Sequence, residues 1–287
     1  MKILNLVQGS DDWRAWRKTV ITATDCPAIL GSSPWVTEYL CWQRKLDLIE
    51  EQKTNTAMER GVFLEPAARA QFIERYRIEM VPAVVESEEY DFLGASLDGI
   101  SQDGKSILEI KCGGTKLHTM AEQGCIPGYY LDQIQHQLLV TRAERCYYYS
   151  FDGETGIRID VYPDPAFEER FMPKANAFWK NIAFREPPAM RKEDYRDRTD
   201  EDEWKKLVKI YKDLDREGKA IDEMKAETRK KLIEICDNQS CSGNGIKVVK
   251  TTTKGSISYD EIEVLKEINL EVYRKPATTV WKVLIEK

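Results

Sequence analysis

The spacing of apolar and polar residues divides the chain into helical and extended segments. Between residues 56 and 76 apolar side chains recur every three to four positions, which predicts a helix that Pro66 either kinks or restarts. Alternating β-branched and aromatic residues predict strands, and a second helical period follows them. These elements fall at 81–85, 92–100 and 106–112 (strands), 130–140 (helix), and 146–151 and 158–162 (strands). The order predicts an α/β fold with a mixed central sheet flanked by helices.

The pattern changes after Pro187 and Pro188, which predicts a domain boundary near residue 190. Residues 1–190 would form the core. Residues 191–287 would form a C-terminal α+β extension, a helical arm with a small β element that serves oligomerisation or contacts a partner or DNA. We expect this arm to contribute no catalytic group.

The predicted arm begins with Thr199 and Asp202, which resemble a capping box. Apolar residues at helical spacing then continue to about residue 236. The remaining pattern predicts a hairpin at 246–259, a helix at 260–272 and a strand at 280–285.

Composition narrows the possible functions. The 287 residues are 42% hydrophobic, enough for a substantial core, with no apolar run as long as a membrane span and no signal peptide, so we expect a cytoplasmic protein without membrane contact. Seven cysteines without a C-x-x-C pair argue against a disulfide framework or zinc ribbon and predict reduced thiols. A net charge of −6 argues against a protein that coats nucleic acid by charge alone, but not against a nuclease.

Two carboxylates are predicted to face each other across a hairpin. Asp103-Gly104 favours a two-residue type I′ turn, which would pair each residue i with residue 207 − i and place Asp98 opposite Glu109. Like charges about 5 Å apart repel unless a cation lies between them, and carboxylate oxygens suit Mg²⁺. The alternative is that both are solvated charges on an exposed face, and a bulge would shift the register.

Two further charged residues extend this site. Lys111 lies two positions beyond Glu109, hence on the same strand face, and could hold an attacking water or stabilise charge on a transition state. Glu65 falls on the apolar stripe of the helix at 56–76, where a carboxylate is costly unless paired or metal-bound. Its alternative is a salt bridge with Arg60 or Arg69.

The pattern of Glu65, Asp98, Glu109 and Lys111 resembles the PD-(D/E)xK nuclease signature, which implies a restriction-endonuclease-like core. Flanking segments make the resemblance more specific. They appear in the order found in the lambda exonuclease and YqaJ-type viral recombinase family: residues 8–17, 20–25, 61–65, 96–99, 108–112 and 130–135. Thr24 stands where that family often has Ser, and Leu97 where Pro is frequent.

The resemblance implies a 5′-to-3′ exonuclease on double-stranded DNA ends. Asp98, Glu109 and the Ile110 carbonyl would hold Mg²⁺, for which Mn²⁺ would substitute, Glu65 would complete the site and Lys111 would activate water. The family's remaining positions fall on Gln133 and Tyr130 in the active-site helix, and on Arg17, Thr24 and Ser96, which would bind the 5′-phosphate.

The resemblance also implies partners and a setting. The product would be a 3′ single strand for a single-strand annealing protein, in a homo-oligomer of phage or prophage origin inside a bacterial host. The region after residue 190 puts the ring-shaped oligomer of the family in question. Alternatives are an endonuclease, a Cas4-like nuclease of the same superfold, or a catalytically inactive DNA-end-binding module.

Three other predictions concern single side chains. Trp35 and Trp42 at helical spacing are expected in the core, with stacking on unpaired bases as the alternative. His118 is expected in a loop without a chemical role. For Arg17, the alternative to phosphate binding is a surface pair with Asp11 or Asp12.

Overall fold

The structure is a computed structural model that describes residues 1–49, 56–252, 255 and 262. It divides into two compact units, Met1–Tyr195 and Arg196–Lys287. The predicted division near residue 190 falls close to this point, while the function of the second unit stays a prediction. All seven cysteines are free thiols, as the scattered spacing predicted.

The first unit contains seven α-helices, a short 3-10 helix (Lys192–Asp194) and six strands in its described part. The helices are α1 (Asp11–Lys18), α2 (Cys26–Leu30), α3 (Glu38–Lys45), α4 (Thr56–Tyr76), α5 (Thr115–Glu122), α6 (Gly128–Thr141) and α7 (Phe167–Ala183). The strands are β1 (Lys2–Leu4), β2 (Val81–Glu86), β3 (Gly94–Ile100), β4 (Ser106–Lys111), β5 (Arg145–Phe151) and β6 (Gly156–Val161). The predicted helix at 56–76 has the observed bounds of α4, with Pro66 inside it.

The six strands form one mixed sheet in sequential order from β1 to β6. All neighbours are antiparallel except β4 and β5, which are parallel. A parallel pair needs a crossover, and α5 and α6 provide it. The predicted α/β fold with a mixed sheet flanked by helices is therefore confirmed.

The sheet is covered on both faces, because alternate residues of β5 enter different clusters. Cys146 and Tyr148 pack with α2, α6 and α7, whereas Tyr147, Tyr149 and Phe151 pack with α4. Strand β4 follows the same rule. Leu108 and Ile110 point towards α4, so Glu109 and Lys111, at alternate positions, point towards α6.

The hairpin of β3 and β4 has the predicted register but a different turn. Gly99 pairs with Leu108 and Ile100 with Ile107, so each pair sums to 207 as expected. A type I′ turn needs positive φ at both central residues, and only Gly104 has it, at +71°. The Gly104 N–H instead donates to the Ser101 carbonyl, which closes a longer loop with the same register.

The second unit contains the long helix α8 (Asp202–Ile235), close to its predicted extent. The predicted capping box is wrong: Glu201 occupies the N-cap, and Asp197 binds the Thr199 N–H. A hairpin does form, but earlier than predicted, between β7 (Cys241–Gly243) and β8 (Ile246–Val248). Its two-residue turn has positive φ at Asn244 and Gly245, the type I′ geometry.

The predicted helix at 260–272 and strand at 280–285 lie outside the described residues. In the described ranges, no helix is both long enough and apolar enough to span a membrane.

Candidate active site

Glu109 is the centre of a buried hydrogen-bond network. It is only 2% exposed, and both carboxylate oxygens have donors. Oε1 accepts from Gln133 Nε2 at 2.6 Å and contacts Lys111 Nζ at 2.5 Å, while Oε2 accepts from Gln137 Nε2 at 2.6 Å. Three donors, one of them charged, offset the cost of burying this carboxylate and fix its orientation.

Gln133 and Gln137 reach the same carboxylate because they lie one helical turn apart on α6. The family resemblance pointed to Gln133, which the structure brings into the network. Gln137 was missed, although its four-residue spacing from Gln133 was a signal that both amides share one helix face. Gln137 Nε2 also lies 3.4 Å from the Ser96 carbonyl, so it links Glu109 to strand β3.

Lys111 is held as a cation beside Glu109. Burial acts to lower the pKa of its ammonium group, but Glu109, Tyr130 and Asp98 together outweigh burial and raise that pKa above its ordinary value. Its Nζ lies 3.3 Å from Gln133 Oε1 and 4.6 Å from the centre of the Tyr130 ring. A protonated ammonium so placed can stabilise negative charge or orient a water molecule.

Asp98 lies where the β3–β4 ladder ends. The pair Gly99–Leu108 is the last one of that ladder, and Asp98 Oδ2 instead accepts the Ile110 N–H at 2.7 Å. The register between β2 and β3 also shifts here, because β3 has one extra residue opposite Pro82, which has no N–H to donate. The bulge therefore turns Asp98 towards the backbone of β4.

The pKa of Asp98 is raised well above its usual range by burial, by the charge of Glu109 and by the charge of Glu65. The pKa of Glu65 is also raised, mainly by burial and by Glu109, although Arg69 opposes this. These mutual effects mean that the three carboxylates are close enough to destabilise one another's ionised forms.

Glu65 forms an ion pair with Arg69, one turn later on α4. This matches the salt-bridge alternative weighed for Glu65, with Arg69 as the partner, whereas Arg60 donates to the Asp152 carbonyl. Arg69 also donates through Nε to the Asp98 carbonyl at 2.6 Å. The Arg69 guanidinium thus links Glu65 on α4 to the bulge of β3 at Asp98.

Two of the three carboxylates, Glu109 and Glu65, are paired with cationic side chains of the protein itself. In the described part of the chain, no three His, Cys, Asp or Glu side chains are arranged to hold a metal ion. Lys111 and Arg69 lie against Glu109 and Glu65 instead. The donor set nevertheless suits a hard divalent cation, since it consists of carboxylate oxygens whose charges repel one another. Ile110 contributes its N–H to Asp98; its carbonyl as a metal ligand stays a prediction.

A second cluster joins the three residues expected to bind a 5′-phosphate. Arg17 donates to Thr24 Oγ1 at 2.9 Å and lies over the Trp13 ring, 4.8 Å from its centre. The same indole donates through Nε1 to Ser96 Oγ at 2.8 Å. Asp11 pairs with Arg14. Trp13 therefore connects Arg17 to strand β3, two residues from Asp98.

A cleft of about 950 Å³ lies beside both clusters. Its walls include Arg17 and Thr24 from one cluster and Glu65 from the other. At its base Asp25 pairs with Lys45 at 2.5 Å. Burial opposes ionisation of Asp25, but Lys45 and Arg17 outweigh it and lower the pKa to about 2. Further basic side chains in the wall are Arg14, Lys18, Arg44 and Arg69.

The predicted environments of Trp42, Trp35 and His118 can be compared with the structure. Trp42 is buried, as expected, and donates to the Asn181 carbonyl. Trp35 is 64% exposed, so its assignment to the core was wrong: it lies in the connection between α2 and α3 rather than on a helix. The loop assignment of His118 was also wrong. It is buried on α5 and contacts Ser150 and Thr155.

Part of the chain is similar to a known domain family. Residues 12–144 match the family model of the YqaJ-like viral recombinase domain. Over 143 residues the chain is 28% identical to the uncharacterized protein YqaJ of Bacillus subtilis (strain 168). That match covers 49% of this chain and 45% of YqaJ, so the chain spans less than half of its curated relative.

Two solved structures share the fold. Both are of LHK-Exo, an alkaline exonuclease from Laribacter hongkongensis, one of them in complex with dAMP. Their TM-scores are 0.54 for the complex and 0.53, each at 24% sequence identity, covering 61% of this chain and 93% of the exonuclease. Residues 12–144 of this chain thus match a YqaJ-like viral recombinase domain, and the fold of the first unit is similar to that of an alkaline exonuclease.

Proposed function

We propose that this chain is a metal-dependent deoxyribonuclease that digests linear duplex DNA from its 5′ ends. The observation that carries the proposal is the network around Glu109, where Lys111, Gln133 and the carboxylates of Asp98 and Glu65 converge beside a cleft with basic walls. The domain family and the fold support a phage-type exonuclease or recombinase.

The reaction is hydrolysis of a phosphodiester: water attacks phosphorus and the bond from phosphorus to the leaving sugar oxygen breaks. Asp98, Glu109 and Glu65 would hold Mg²⁺, or Mn²⁺ in its place, with the Ile110 carbonyl. When bound, the cation supplies Lewis-acid stabilisation of charge on the phosphoryl oxygens and lowers the pKa of water.

The protein's own groups have separate tasks in this scheme. Lys111, a cation beside Glu109, orients the water and stabilises the negative charge of the transition state. Gln133 and Gln137 hold the Glu109 carboxylate in one orientation. Tyr130 contacts the ammonium group of Lys111 through its ring and limits where that group can move.

The direction of digestion would be set by the second cluster, in which Arg17 would bind the 5′-terminal phosphate. A terminal phosphate carries more charge than an internal diester, and a guanidinium can bind it through two hydrogen bonds. Thr24 and Ser96 would add hydroxyl donors.

The product would be a 3′ single strand, which a single-strand annealing protein could receive. We further propose a homo-oligomer in the cytoplasm of a bacterial host, with the second unit contacting a copy, a partner or DNA.

The decisive experiment incubates the purified chain with linear and with covalently closed circular duplex, with and without Mg²⁺. We expect loss of the linear DNA only, and only with the cation. Duplexes labelled at either end then report polarity. Cutting of the circular form would favour an endonuclease, and DNA-end binding without cleavage would favour an inactive end-binding module.

A further inference from the structure

Three aromatic side chains make a continuous path from solvent to Lys111. Trp35 contacts Tyr129 edge to face, with ring centres 4.8 Å apart, and Tyr129 contacts Tyr130 in the same way at 4.5 Å. Tyr130 in turn lies 4.6 Å from Lys111 Nζ and 6.4 Å from the Tyr148 ring. The outer end of this path, Trp35, is 64% exposed, whereas Tyr148 is fully buried.

The position of Trp35 is fixed by the loop that carries it. Gly31 ends α2 with φ +84°, and Ser33 Oγ then accepts the N–H groups of Trp35 and Val36. Ser32 Oγ donates at 2.6 Å to Asp132 on α6, the helix that carries Tyr129 and Tyr130. These bonds hold the backbone at Trp35, while its indole contacts Tyr129 edge to face and leaves most of its surface exposed, where a ligand can reach it.

We propose that Trp35 and Tyr129 form a stacking platform for an unpaired nucleobase at the 5′ end of the strand whose phosphate reaches Lys111. Bases inside a duplex already stack on their neighbours, so a fixed aromatic surface beside the site selects a base that has left the stack. Val36, the residue after Trp35, lines the basic cleft, so the loop that carries Trp35 borders that cleft. This inference rests on the proposed nuclease function.

Base stacking on Trp35 and Tyr129 predicts that the platform binds an unpaired nucleotide without sequence preference. Every base presents a π-face, and stacking on an aromatic side chain is therefore tolerant of base identity. Removal of the base, with the sugar and phosphate left in place, removes the stacked surface and nothing else that the platform could bind. A nucleotide without a base is accordingly the most specific probe.

The test compares two labelled duplexes that differ in one unpaired 5′-terminal nucleotide, which carries a base in one and is a tetrahydrofuran abasic residue in the other. Binding is measured by fluorescence anisotropy in EDTA, so that no cleavage occurs. The wild type should bind the base-bearing duplex about tenfold more tightly. Trp35→Ala should abolish this preference, and Trp35→Phe should retain most of it.

Trp204→Ala is the matched control, since Trp204 is also exposed, at 49%, but lies on α8 of the second unit. It should keep the wild-type preference for the base-bearing duplex, whatever the second unit contributes to the overall affinity. A preference for the base that survives in Trp35→Ala would overturn the platform. Cleavage of linear DNA with Mg²⁺ is scored separately: a wild type that never cleaves but shows the Trp35-dependent preference would overturn the nuclease and leave the platform standing.

Discussion

The backbone N–H of Ile110 donates to Asp98 Oδ2 at 2.7 Å, at the point where the ladder between β3 and β4 ends. The next ladder pair would have been Asp98 with Glu109, two carboxylates directly opposite each other. Instead, Asp98 makes this side-chain-to-backbone bond where β3 also bulges against β2, and the charge of Glu109 still acts on Asp98 and raises its pKa. Such a bulge can aim a ligand towards a cation without breaking the sheet.

The first prediction concerns Asp98→Asn. The amide oxygen can still accept the Ile110 N–H, so the fold should persist, while the charge that would bind Mg²⁺ is lost. We expect cleavage to fall by about 100-fold or more. Without metal the variant should unfold at equal or higher temperature than the wild type, because like-charge repulsion with Glu109 and Glu65 is removed.

Cleavage assays and calorimetry without metal measure both effects. Asp103→Asn, at the exposed tip of the same hairpin, is the control and should cleave normally. Undiminished Mg²⁺-dependent cleavage by Asp98→Asn would contradict the ligand assignment.

The second prediction separates three glutamines on α6. Gln133 and Gln137 donate to Glu109, whereas Gln135 binds the Tyr162 carbonyl and the Asp164 N–H. A hydrogen bond to a charged group contributes about 1.5–3 kcal/mol, so Gln133→Ala or Gln137→Ala should each lower cleavage by roughly 10- to 100-fold.

Gln135→Ala is the matched control and should affect thermal stability more than the rate of cleavage. Steady-state rates and melting temperatures of the three variants are the measurements. Equal rate losses in all three would mean that α6 acts only as packing, and that Gln137 does not position Glu109.

Sequence periodicity predicted most of the core fold because helix and strand periods are local signals. The bounds of α4 and the 207 register of the β3–β4 hairpin follow from apolar spacing and one Asp-Gly pair. The turn type did not follow, because Ser101 accepts the Gly104 N–H and takes over the loop geometry. Which side chains surround Glu109 also depends on residues distant in sequence, such as Gln133 and Gln137.

Trp35 and Gln137 also show that sequence periodicity does not predict tertiary contacts. An indole at apparent helical spacing was assigned to the core, but the Gly31 to Thr37 connection carries it into solvent. Gln137 lies one turn from Gln133 on a helix that carries other buried polar residues, and its spacing alone did not show that Glu109 is its partner. Burial of a polar group is a tertiary property, so a single sequence does not specify its partner.

The third prediction concerns His136, which is fully buried and holds the Gly94 carbonyl within 3.0 Å of Nε2. Burial lowers the pKa of its ring from 6.5 to about 4. The folded state thus binds a proton less readily than the unfolded state. Its stability should be fully present above pH 6.5 and should fall as the pH drops towards 4.

Urea unfolding at pH 7 and pH 4.5 measures this loss, which should approach 2 to 3 kcal/mol by the linkage rule of about 1.36 kcal/mol per pKa unit. His136→Gln retains a nitrogen donor for Gly94 but cannot be protonated. It should therefore lose most of the pH dependence in this window, and a variant with the wild-type slope would contradict the assignment.

The fourth prediction concerns truncation of the chain. The first unit ends at Tyr195, and residues just before that point contact its core: Asp194 accepts the Thr37 hydroxyl, and the Arg191 guanidinium lies against Gly31. A chain of residues 1–195 should retain cleavage of short duplexes and alter oligomeric state or processivity. A chain of residues 1–190 should cleave similarly but melt at lower temperature.

Calorimetry, light scattering and cleavage of short and long duplexes distinguish these results. Complete loss of cleavage in a folded 1–195 chain would contradict the view that the second unit contributes no catalytic group.

The last prediction concerns Arg17 and the terminal phosphate. Arg17 is oriented by the Trp13 ring and by Thr24, and Trp13 is anchored to Ser96 beside Asp98, so the guanidinium is held next to the candidate site. Loss of a bidentate bond to a terminal phosphate should cost about 2–3 kcal/mol. The wild type should therefore prefer 5′-phosphorylated over 5′-hydroxyl duplexes, and Arg17→Ala should lose most of that preference. Arg17→Lys should recover only part of it, because a lysine offers a point charge. Arg14→Ala is the control: it removes the same charge from the same helix, but Arg14 is paired with Asp11. If Arg17→Ala and Arg14→Ala discriminate between the two ends as the wild type does, the phosphate is bound elsewhere.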